Sequence, residues 1–330
     1  MGKASNYIPA LKYGHKIYPE DIAGMIGLPY VGDIFYVDPY AGSDTTNAGK
    51  RQNDALATVA AAYAKCTSGN HDVVLIVPSG GSGRTTETAK ITWAKRFTHL
   101  IGNAAPNGSN VRAGISVVGD AGSTQGGGGF YLTENGCIFK NINFYSSSAT
   151  AFVAFEMTGD YNYFENCHFQ VQNATALDNA GAASCKMYTS SENTFVDCWF
   201  GSDTVASTAA NANLELLGTG TSGNARNTFR GCTFVRLCDA AAPFHVKIDA
   251  ANDLDRFVLF QGCFFNNYVS GGTGTTMTDA MSVHATPGGN VVLQNSISVG
   301  CTGWASDCTR VFVEPVYANS STGLMTAASA

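Results

Sequence analysis

Ten cysteines, six histidines and 25 acidic side chains are the groups in these 330 residues that could hold a metal or act on a substrate. Cys167, Cys198, Cys232 and Cys263 recur at even intervals, but none has a second Cys or a His at ligand spacing, and Cys232/Cys238 and Cys301/Cys308 do not form a zinc pattern either. Glu156 and Glu215 are the carboxylates that could face each other across a groove, with His245 or His284 as the proton-transfer partner, which is what glycoside cleavage asks for. The run SGGSGRTT (Ser79–Thr86) has the outline of a phosphate cradle, yet lacks the Lys and the following helix of a P-loop. GGGG at 126–129 reads as a flexible turn before Phe130. No nucleophile elbow, zinc motif or dinucleotide fingerprint occurs.

The elements that would position these residues are set by a repeat. FENCHF from Phe164, FVDCWF from Phe195, FRGCTF from Phe229 and FQGCFF from Phe260 all read F-x-x-C-x-F, at a mean step of about 32 residues. FKNINF from Phe139 and LQNSIS from Leu293 are weaker copies, with Ile142 and Ser296 in the Cys position. Cys and the last Phe lie two apart and share one face of a strand. The first Phe joins them if the intervening pair bends, and Asn, Asp or Gly at its second position tolerates the positive φ of such a bend. Upstream of the hexads run short apolar alternations: Val153-Phe155-Met157, Cys185-Met187, Leu214-Leu216, Phe244-Val246-Ile248 and Met281-Val283. Each repeat therefore holds at least two strands and no helical period, which predicts a parallel β-solenoid with the four Cys stacked inside as small hydrophobes.

With these hexads the sequence resembles the right-handed parallel β-helix proteins of the pectin-lyase-like type. FYVDPYAGSDTTNAGK (35–50), DALATVAAAYAKC (54–66) and DVVLIVPSG (72–80) look like that fold's N-terminal cap, and FTHLIGN (97–103) and ISVVGDAG (115–122) like its first coils. Asp54 is the expected N-cap of the capping helix, with Leu56, Val59, Ala60 and Tyr63 as its apolar stripe. The resemblance covers roughly residues 33–313 and implies an all-β solenoid with a cap and first coils (33–125) and a β-helix body (126–316). An extended N-terminal arm (1–32) and a C-terminal tail (317–330) lie outside it. The resemblance implies no activity. The ordered site motifs of polygalacturonases are missing, and the clustered Asp of calcium-dependent lyases is not seen, Asp253 and Asp255 being the one close Asp pair in the coils.

Outward residues beside the Cys column are His168, Trp199, Thr233 and Phe264, a stripe that fits a subunit interface, a covering loop or a sugar-stacking platform. On the upstream strand the outward residues Glu156, Lys186, Glu215, Lys247 and His284 form a ladder of alternating charge. The arm carries Tyr7, Ile8, Leu11, Tyr13, Ile17 and Tyr18, read as a docking segment or a cover over the solenoid.

Charged residues are 13% of the chain, against about 25% in ordinary soluble domains. The net charge of −6 argues against a nucleic-acid partner, and no apolar run nears the ~18 residues of a membrane span. The first 21 residues lack the apolar core of a signal peptide. In these features the chain resembles phage β-helix proteins, and that resemblance implies a non-enzymatic structural protein of a bacteriophage virion. Its expected role is a capsid decoration (cement) protein, bound as a homotrimer to the major capsid protein, without cofactor or metal and made in the host cytoplasm. The alternative is a phage tailspike or fibre that binds or cleaves a host surface glycan. A bacterial surface adhesin ranks below both.

Overall fold

Stacked coils bury their side chains only if each coil offers the same shape to the coils on either side, and the structure shows how the hexads meet this demand. A computed structural model describes residues 19–28, 31–119, 125–269, 274–306, 308–314 and 326–327. A complete coil contributes one strand to each of three faces, and the terminal coils contribute to fewer. Sheet I has eleven strands, sheet II eight and sheet III seven. Within these sheets all pairings are parallel except the last of sheet I, where Thr326–Ala327 returns antiparallel against Val311–Val313.

Each hexad turns the corner from sheet I to sheet II. Its bend falls on Asn141, Asn166, Asp197, Gly231, Gly262 and Asn295, all with φ between 49° and 63°. The first Phe of the hexad ends in the interior of sheet I and the second in that of sheet II. Rings in adjacent coils lie 4.4–5.2 Å apart, centroid to centroid, in two continuous columns. Each such Phe is fully buried, worth about 1.5–3 kcal/mol of transfer free energy. At the C-terminal coil Leu293 and Ser298 take the places of the two Phe.

The Cys column is buried between the ring columns. Cys167, Cys232 and Cys263 each direct Sγ at the carbonyl of the Phe one coil earlier, at 3.4–3.5 Å. Ser296 makes the same contact with Phe260 O at 3.1 Å, which explains why a hydroxyl can stand in the column. Burial pushes the Cys167, Cys198 and Cys232 thiols well above their ordinary range, so they stay protonated.

A second internal row escapes the hexad reading. Asn162, Asn193 and Asn227 are buried at the corner before sheet I, each two residues ahead of the first Phe. The side-chain oxygens of Asn162, Asn193 and Asn227 accept from the backbone N–H of Cys137, Asn162 and Asn193 respectively, at 2.8–3.0 Å. They satisfy donors that the corner takes out of the ladder.

The cap differs in detail from expectation. Its helix is Val59–Lys65, capped by Thr58, whose Oγ1 accepts from Ala61 N. Asp54 instead ends a 3-10 turn, its carboxylate accepting from Ala48 N. Val59, Ala62 and Tyr63 are buried and Ala60 is not, because the later start rotates the stripe. Part of the arm is helical rather than extended: Pro19–Ile26 is a helix whose Ile22 and Ala23 pack on the outer side of the first strands of sheet I. No helix among the described residues is long and apolar enough to cross a membrane.

Candidate functional site

The charge ladder occupies the outer face of sheet III. Glu156, Lys186, Glu215 and Lys247 are register partners in four successive rungs. The fifth rung is Ser282 and not His284, because Met281 and Val283 face inward and the outward residue lies between them. Lys186 Nζ sits 2.8 Å from Glu215 Oε2, and Lys247 Nζ 3.0 Å from Asp249 Oδ2. Glu156 is held differently, by the backbone N–H groups of Gly126 and Gly128. The four-glycine run is thus a cradle rather than a loose turn, since a Cβ on Gly128 would lie 2.7 Å from Glu156 Cβ. Burial raises the Glu156 carboxyl pKa, and these two hydrogen bonds oppose the rise.

Glu156 and Glu215 stand two rungs apart, about 9.6 Å at strand spacing, with Lys186 between them. His245 joins neither. It is fully buried against Phe265, with Nδ1 3.3 Å from Asn213 Nδ2, and burial followed by the nearby Arg236 pushes its pKa down to about 3. His284 Nδ1 accepts from Thr286 N. The acid/base group anticipated from spacing is therefore not brought together. Asp253 and Asp255 also part company: Asp253 accepts from Gly218 N and Ala250 N, while Asp255 pairs with Arg256.

Sheet II carries the stripe in the expected register, His168–Trp199–Thr233–Phe264, continued by Asn143 at one end and Ile297 at the other. The segment 107–110 covers its N-terminal half. Asn110 N donates to His168 Nδ1 at 3.0 Å, and Gly108 N to Asn166 Oδ1 at 2.9 Å. His168 Nε2 lies 2.8 Å from Gly201 O, so the two partners fix a neutral ring with its proton on Nε2. Burial lowers the His168 pKa to about 4. Gly108 presses on Trp199, where a Cβ would come within 2.4 Å of the indole nitrogen. Towards the C-terminal end the stripe opens: Thr233 and Phe264 are half-buried and Ile297 is 55% exposed.

Beside the covering segment, on the same outer face, lies an open groove of about 300 Å³. Arg84 and Arg112 line one side, and the Arg84 guanidinium lies 3.8 Å over the Tyr145 ring. Burial lowers the Arg84 pKa; Tyr145 opposes this and Arg112 adds to it. An amide network forms the rest. Gln170 Nε2 donates to the side-chain oxygens of Asn110 and Asn143, and Gln172 is tied to Gln170, Ser202 and Thr204. These bonds fix the rotamers of the lining before any ligand arrives.

Among solved structures, a pectate lyase, Pel9A, matches 81% of this chain at TM-score 0.51 and 17% identity. The chain has the right-handed parallel β-helix fold. It spans 63% of the length of that β-helix lyase. Pectin methylesterase PemA from Erwinia chrysanthemi matches at TM-score 0.48 and 12% identity, over 84% of this chain and 92% of its own. ORF18 of Geobacillus virus E2 matches at 0.44 and 11%, over 93% and 58%. No protein-family model and no curated protein matches the sequence. The expectation of a non-enzymatic chain is corrected here, because the solved protein that shows this β-helix fold is an enzyme. Missing pectinase motifs do not exclude a different constellation on the same scaffold.

The anticipated docking residues Tyr7, Ile8, Leu11, Tyr13, Ile17 and Tyr18 lie outside the described residues. Arg84 and Arg112 were not anticipated. They stand 28 residues apart in sequence (112 − 84), and they meet only because Arg84 and Gly114 are strand partners. The signal present was the Gly-rich run itself, which holds Ser82, Gly83 and Arg84.

Proposed function

We propose that this chain is a bacteriophage virion protein that presents the outer face of sheet II to a host-surface glycan. The groove carries this reading: a rigid β-helix face bearing pre-set amide and guanidinium donors beside an aromatic ring is suited to saccharide hydroxyls and ring faces. Ten free cysteines, all but Cys301 buried, support folding in a reducing host cytoplasm followed by assembly into a particle. The full chain on an array of host-surface glycans tests the reading. Binding to a subset, lost in Tyr145→Ala and Gln172→Ala, is expected; no binding to any saccharide overturns it.

A second reading, a capsid decoration protein bound as a homotrimer to the major capsid protein, is supported by apolar exposure on the C-terminal part of the chain. Tyr268, Val269, Ile297 and Val299 are 45–55% exposed there, a surface that a second copy or the shell would bury. Quantitative peptide mass spectrometry of purified particles separates the two. A copy number near that of the shell protein favours decoration, a few copies favour a tail appendage, and absence removes both.

A further inference from the structure

Glycan binding alone does not account for the charge in the groove. Arg84 and Arg112 line it together, and among the described residues no carboxylate forms an ion pair with either. Their proximity is enforced by backbone contact. Gly83, at φ +72°, lies so close to Arg112 that a Cβ would fall 1.8 Å from the Arg112 carbonyl oxygen, and Gly83 O accepts from Gly114 N at 3.0 Å. A side chain at position 83 would push the two arginines apart. The Tyr145 ring keeps the Arg84 guanidinium from swinging into solvent.

The remaining lining points the same way. Asn110 and Asn143 line the groove, and each side-chain oxygen already accepts from Gln170 Nε2, while both amide groups carry donors of their own. The Ser82 hydroxyl adds a further donor, and no Asp or Glu lines the groove. Two unneutralised guanidiniums, two amide groups and a hydroxyl complement an oxyanion. Charge selects among oxyanions: a phosphate monoester brings about −1.5 to −2 at neutral pH, whereas one carboxylate would leave a cation unmatched.

We propose that the groove is a phosphate subsite, in which Arg84 and Arg112 clamp the phosphate ester of a host-surface sugar. The proposal rests on the reading of this face as glycan-facing and names the group recognised. The Gly-rich run acts here without being a P-loop, since its contribution is the Arg84 and Ser82 side chains and the close approach that Gly83 permits.

Calorimetry of the full chain at low salt tests it with four probes: a hexose 6-phosphate, the unmodified hexose, a hexuronate and inorganic phosphate. R84Q, R112Q and the distant exposed R256Q are measured alongside. The expected result is hexose phosphate binding at least tenfold tighter than hexose or hexuronate, weakened tenfold or more in R84Q and R112Q and unchanged in R256Q. Arg112 is exposed, so R112Q remains informative if half-buried R84Q misfolds. Hexose phosphate binding no tighter than hexuronate, or unaffected in R112Q, overturns the subsite, and retained array binding then leaves the glycan reading intact. Inorganic phosphate binding as tightly as the hexose ester supports the subsite and removes the sugar from it, which counts against the glycan reading alone.

Discussion

The inward row Phe144–Phe169–Phe200–Phe234–Phe265 and the outward row Asn143–His168–Trp199–Thr233–Phe264 run along the same strands of sheet II, one residue apart. The inward row repeats one residue type for five coils. The outward row changes type at every coil, from amide to imidazole, indole, hydroxyl and phenyl. The difference follows from what each row touches. An inward side chain must fit the coil before and the coil after, so a shape that works once must be used again. An outward side chain answers to whatever covers it: loop 107–110 over His168, open solvent beyond Ile297, the groove beside Asn143. Variety on a face whose scaffold is uniform reflects what lies over each coil, not the packing within it.

The comparison breaks most visibly at adjacent residues 232 and 233. Cys232→Asp places an unpaired carboxylate inside the column and is expected to cost more than about 4 kcal/mol, abolishing the cooperative thermal transition. A variant melting within a few degrees of the parent would mean the column is not close-packed. Acid gives an effect at least as large once the three buried histidines are summed. His99 and His245 are held to about 3 and His168 to about 4, below the ordinary 6.5, chiefly by burial. The unfolded chain therefore takes up protons first. Stability is complete above about pH 6.5 and falls as pH drops towards 4 and then 3, by about 1.4 kcal/mol per pH unit for each histidine. Chemical denaturation across pH 4–7 measures this, and a flat profile contradicts it.

Asn193→Ala removes the acceptor for Asn162 N, and a loss of about 1–3 kcal/mol is expected in the denaturant midpoint; under about 0.5 would make the asparagine row incidental. The mildest pair sharpens the contrast. Cys232→Ser should cost about 1 kcal/mol, since Ser296 already makes the equivalent contact, and Thr233→Ser about 0.5 or less.

What the sequence disclosed follows the same division. The interior was legible from F-x-x-C-x-F, because stacking obliges like residues to recur at a fixed step, and the bend positions were legible because Asn, Asp and Gly share one tolerance for positive φ. The asparagine row was written as N-x-F before three hexads, yet a polar residue at a corner reads as turn chemistry rather than a buried acceptor. The groove was not legible. Arg84 and Arg112 belong to different coils, and only the register of their strands and the backbone contact at Gly83 set them side by side. His284 was misplaced on the ladder by two residues: it has the same outward parity as Ser282, and only the pairing of Lys247 with Ser282 tells them apart.

The ring columns also give the molecule a direction. Where Leu293 and Ser298 replace Phe, aromatic stacking stops, and in a solenoid whose coils lean only on their neighbours that end has the least holding it. Fraying should begin there and travel towards the cap, so that amide exchange slows progressively along the axis. The groove lies towards the opposite end, on strands that start beside the capping helix, whose first N–H groups donate to Glu87, the residue after the Arg84–Thr86 strand. A pull or a heat pulse that peels away the last coils would leave the groove intact.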